Sequence, residues 1–141
     1  ICQRIGRKSY FAIAFTLALI STAFVFRYLD EPQDIWWMLP IMGFCQLSVF
    51  AGYAIYFPEL FPTRLRSTGT SFCYNVGRFV AAGGPFLLGL LTSKVYAGIE
   101  NPAWMAEPMR PAGITMCAAF LLGLAGLPFL PETKDRPLPE D

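Results

Sequence analysis

Apolar residues do not alternate with polar ones along this chain. They gather into four long runs, separated by short polar stretches. The runs cover residues of about 9–26, 36–57, 70–91 and 112–129. The first is bounded by Arg7-Lys8 and Arg27, the second opens with Trp36-Trp37, and the last closes at Pro131. At 1.5 Å of rise per residue, each run forms a helix able to cross a hydrocarbon core of about 30 Å. The prediction is an all-α, polytopic membrane protein with four transmembrane helices. It divides into a loop at 1–8, a four-helix region at 9–130 and a polar tail at 131–141.

Composition supports this reading. Of 141 residues, 55% are hydrophobic and 15% charged, whereas a soluble domain carries about 25% charged residues. The net charge of +1 offers no basic field, so no nucleic-acid partner is expected. The absence of histidine removes the His-based catalytic and zinc arrangements. The four cysteines fall singly, at 2, 45, 73 and 117, without disulfide or metal spacing. No cofactor, metal or enzymatic activity is expected, and the expected partners are the lipid bilayer and a small-molecule solute.

Charge sets the orientation. Arg4, Arg7, Lys8, Arg64, Arg66, Lys134 and Arg136 fall on one side of the four spans. Arg27, Lys94 and Arg110 fall on the other. The basic excess places both ends of the chain in the cytoplasm. Tyr28, Trp36, Trp37, Tyr96 and Trp104 gather near the outer ends, where amphipathic rings favour the interface.

Within the stretch YFPELFPTRLRSTGTSFCYNVGRFVAAGGP, residues 56–85, four charges interrupt the apolar pattern. Arg64 and Arg66 suit a topological anchor that bonds the last carbonyls of the preceding helix. Glu59 suits an arginine of its own loop or of a neighbouring one, as a clasp that breaks and re-forms with changes of shape. Arg78 lies roughly 12–15 Å along its helix from the loop. It either snorkels to the interface or serves a cavity. Asn75 shares its face, and Gly83-Gly84-Pro85 should kink the helix. Gly69, Cys73, Gly77 and Ala81 make a small-residue stripe suited to close packing. In the second run, Gln46 and Tyr53 stand seven positions apart on one side. They suit either hydrogen bonding to a ligand or contacts between helices.

Together these segments resemble the C-terminal part of a major facilitator superfamily transporter, of the sugar-porter or metabolite:proton-symporter kind. QRIGRK, residues 3–8, resembles the cytoplasmic D-R-x-G-R-[RK] loop before the ninth helix of that family, with Gln3 in place of Asp. PELFPTRLR, residues 58–66, resembles the loop after the tenth helix. PETK, residues 131–134, resembles the segment that closes the twelfth. The resemblance implies that the chain supplies helices nine to twelve, with the remainder of the same polypeptide as its partner. It implies alternating access in a bacterial inner or plasma membrane. Arg4, Gly6, Arg7, Pro58, Glu59, Arg64 and Arg66 would then belong to a cytoplasmic gate. Gln46, Tyr53, Asn75 and Arg78 would face the substrate cavity. No span carries an acidic residue or histidine well inside it, so any proton-carrying carboxylate lies elsewhere. The alternative expectation is a free-standing four-helix membrane protein with a role in assembly.

Overall fold

The computed structural model describes residues 5–97 and 107–133. Arg4 of the expected gate lies outside the described residues, as do Trp104, Lys134 and Arg136. All regular structure among the described residues is helical. Helix α1 spans Arg7–Tyr28, α2 Ile35–Leu60, α3 Arg66–Ala81 and α4 Gly84–Leu90. A wide π-type turn, Leu91–Val95, continues α4. Helices α5, Met109–Met116, and α6, Ala118–Gly126, follow, and a tight turn over Leu127–Phe129 ends the last span. Taken as four spans, Arg7–Tyr28, Ile35–Leu60, Arg66–Val95 and Met109–Phe129 are each long and apolar enough to cross a membrane.

Local chemistry explains the boundaries. Gly6 precedes α1 with φ of 92°, a left-handed conformation that only glycine adopts without strain. That turn delivers Arg7 into the helix. Pro40 and Pro58 lie inside α2, which nevertheless runs on to Leu60 before Phe61 becomes extended. The third span is interrupted: α3 stops at Ala81 and α4 begins at Gly84, with Pro85 in its first turn, where its missing N–H costs nothing. Thr92 and Ser93 hydroxyls bond back to the Leu88 and Gly89 carbonyls, each at 2.7 Å, around the wide turn.

Helix α1 is the centre of the bundle. It packs against α2 along one side and against α5 and α6 along another. Phe11, Ala14, Phe15 and Ala18 are buried there with Val49 and Tyr56 of α2 and Leu127 of the last turn. Gly52 makes the α1–α2 approach possible. A Cβ at that position would stand 2.7 Å from ring carbons of Phe11 and Tyr10. Tyr10 Oη donates to the Ser48 carbonyl at 2.8 Å across the same seam. Lipid tails are as apolar as these side chains, so close packing and polar contacts, rather than escape from water, hold such helices together.

The third span differs. No residue of α3 or α4 is buried. Of the small-residue stripe, Gly69 lies against the Phe61 ring, whereas a Cβ on Gly77 would meet nothing within 4 Å. Of the two glycines in that stripe, one is in close contact and the other faces open space.

Candidate functional site

Three loop segments, far apart in sequence, meet at one end of the bundle. Gly6 turns the chain so that Arg7 leaves the first turn of α1 toward the last turn of α2. There Arg7 Nε donates to Glu59 Oε2 at 2.9 Å, and Arg7 Nη2 pairs with Glu59 Oε1 in a two-point contact. The fork geometry of guanidinium and carboxylate makes such a pair strong and directional. Both side chains are largely shielded, at 9% and 18% exposure, so water weakens the pair little. Thr133 Oγ1 adds a hydrogen bond to Glu59 Oε2 at 2.6 Å. Glu59 therefore chooses the neighbouring loop's arginine over one from its own loop.

Glu132 completes the junction. Its carboxylate accepts from the backbone N–H groups of Arg7, at 2.8 Å, and Lys8, at 3.1 Å. These are free donors in the first turn of α1, at the positive end of its dipole. Lys8 Nζ donates to the Pro128 carbonyl at 3.2 Å, and Tyr56 Oη to the Pro131 carbonyl at 2.8 Å. The end of the last span is thus sewn to both α1 and α2.

The opposite end of α1 has a matching contact. Arg110 Nη2 donates to the Leu29 carbonyl at 2.9 Å, just past the C-terminus of α1, and pairs with Asp30 at 2.8 Å. A cation there complements the negative end of the same dipole. The last span thus caps both ends of α1, with a carboxylate at one and a guanidinium at the other.

The remaining candidates are distributed otherwise. Arg66 Nε donates to the Pro58 carbonyl at 3.0 Å, closing the last turn of α2, while Arg64 is exposed. Gln46 Nε2 donates to Thr22 Oγ1 at 3.0 Å between α2 and α1. Tyr53 lies among rings, 5.2 Å from Phe11 and stacked on Phe57 at 5.0 Å. Asn75 and Arg78 sit on α3, and both are exposed. Asn75 Nδ2 donates to the Ser71 carbonyl of its own helix at 2.8 Å. Arg78 lies in the last turn of α3, five residues before Gly83.

Glu132, Thr133, Lys8, Tyr56 and Arg110 were not among the site residues expected from sequence. One signal pointed to Glu132. The first turn of α1 carries two bases and no acid, so its free amides call for a carboxylate from elsewhere.

The family model described as "Sugar (and other) transporter" matches residues 1–140. A probable 4-methylmuconolactone transporter of Cupriavidus pinatubonensis is 31% identical over 94 residues, covering 67% of this chain and 19% of that protein. A cis,cis-muconate transport protein of Acinetobacter baylyi is 34% identical over 91 residues, 64% of this chain and 22% of that protein. Solute carrier family 22 member 12 of Mus musculus is 37% identical over 103 residues, 72% of this chain and 16% of that protein. The chain spans about a fifth of the length of the first two relatives. No solved structure matches it significantly.

Proposed function

Because the chain belongs to the sugar (and other) transporter family, whose members form the major facilitator kind of membrane protein, we propose that it supplies one part of a transporter that carries a small solute across the bilayer by alternating access. The observation that carries this reading is the ionic junction. Three loops converge on Glu59 and Glu132 at one end of four membrane-length helices. Such a knot of charges holds helix ends together while intact and frees them once it opens. Arg7, Glu59, Thr133 and Glu132 are its working members, with Gly6 and Pro58 shaping the backbone and Arg64 and Arg66 flanking it. This end faces the cytoplasm, where the basic excess places it.

The solute meets the third span. Arg78 is a cation within a membrane-length helix, a placement that costs free energy unless it serves a partner or a polar path. With Asn75 it forms a polar face next to a helix break, an arrangement suited to an organic acid. A relative named for cis,cis-muconate, a carboxylate, agrees with that class. Gln46 and Tyr53 also contact α1, through Thr22 and Phe11. Coupling to protons, where present, runs through a carboxylate outside the four spans.

The test is uptake of carboxylate solutes by cells carrying the full-length protein with Glu59→Gln. Gln keeps the shape and removes the charge. Uptake should fall at least about tenfold, the loss of one charge-assisted contact, at unchanged membrane abundance. Wild-type uptake would remove the junction from the mechanism.

A further inference from the structure

The turn between α2 and α3 holds an open, hydroxyl-bearing hollow beside the ionic junction. It measures about 540 Å³ and is lined by Pro58, Thr63, Arg66, Ser67, Thr70 and Ser71. A second hollow of about 520 Å³ shares Ser67 and Ser71 with it. The lining therefore offers one guanidinium and four hydroxyls, with no carboxylate. Arg66 spends its Nε on the Pro58 carbonyl. Its Nη2 is shut off from water and has no hydrogen-bond partner among the described residues, and Thr70 Oγ1 is in the same condition. Buried donors left unmade are costly and uncommon. Two of them under one cavity wall, among hydroxyls, point to an oxyanion that accepts from several directions.

Position narrows the choice of anion. The cavity lies where the apolar span of α2 ends and that of α3 begins. In a bilayer, this is the level of the headgroup phosphates, and basic pockets between helices at that depth take phosphate-bearing headgroups. The planar guanidinium fork matches phosphate oxygens as well as it matches a carboxylate. We propose that this cavity binds a phosphate group, held by Arg66 and by the hydroxyls of Thr63, Ser67, Thr70 and Ser71. Arg66 lines the cavity with its Nε held on the Pro58 carbonyl. The phosphate comes from a lipid headgroup or from a free phosphate in solution. The site borders the junction through Pro58 and Arg66, but its test reads binding rather than uptake, so either reading can fail alone.

The experiment uses the purified full-length protein in detergent and follows its thermal midpoint during titration. The probes are a short-chain phosphatidic acid, the diacylglycerol of the same chain length, and inorganic phosphate. Phosphatidic acid should raise the midpoint and the diacylglycerol should not. A matching effect of inorganic phosphate would assign a free phosphate as sufficient, and its absence would assign the lipid headgroup. Arg66→Gln should weaken binding at least about tenfold, the loss of one charge-assisted contact. Thr70→Val should weaken it about threefold, the loss of a neutral hydrogen bond. Lys94→Gln, at the other end of the third span, should leave it unchanged. If Arg66→Gln fails to fold, Thr70→Val decides alone, because it leaves the Arg66–Pro58 contact in place. The proposal is overturned if no phosphate probe binds, if the diacylglycerol acts equally, or if the folded variants bind as the wild type does.

Discussion

Arg7 and Arg78 are the same side chain in two opposite settings. Arg7 is buried at a helix end, in a two-point pair with Glu59, while its backbone N–H is capped by Glu132. Arg78 stands exposed on a helix with no buried residue. One charge is spent on holding α1, α2 and the end of the last span together. The other is left available. The difference teaches that charge in an apolar chain is not one signal. Its meaning depends on whether a second, distant segment brings the counter-charge.

Substitutions can break that contrast, beginning with the largest effect. Glu59→Ala should cost about 3 kcal/mol, because Arg7 and Thr133 lose their shared partner inside a shielded site. Reversible denaturation of the purified full-length protein reads this directly, and a loss below about 1 kcal/mol would make the junction a surface pair. Gly52→Val should cost about 1–3 kcal/mol, since its side chain would enter the space of Phe11 and Tyr10. Gly6→Ala should cost about 1–2 kcal/mol through its left-handed backbone, lowering the same midpoint without touching any charge. Arg78→Ala should change stability by no more than about 0.5 kcal/mol. Its effect belongs to uptake, which should fall while membrane abundance holds. Normal uptake would reduce Arg78 to an anchor that snorkels to the interface.

Much of the fold is legible in the sequence because it is local. Long apolar runs, the bases that bound them and the Gly83-Gly84-Pro85 break depend only on neighbours along the chain. Pairing is not local. Arg7 and Glu59 stand 52 positions apart, and Arg7 and Glu132 stand 125 apart. Each of the three loop motifs could be read separately, but nothing in their spacing states that they meet. The same limit governs Gln46 and Tyr53. Helical periodicity puts them on one side of α2 yet does not say what that side faces, and the structure turns it toward Thr22 and Phe11 of α1. For Arg110, a count of charges by side gives orientation only, whereas its position over the Leu29 carbonyl requires the last span to lie alongside α1.

The central claim, that the junction opens during transport, calls for a reversible lock. In a full-length background without its native cysteines, Arg7→Cys and Glu59→Cys would be bridged by a short thiol cross-linker that reductant cleaves. The uptake that the unbridged double variant retains should stop on bridging and return to that level on reduction, while each single-cysteine variant is indifferent to the reagent. Undiminished uptake by the bridged protein would contradict the account and leave the junction as a fixed brace.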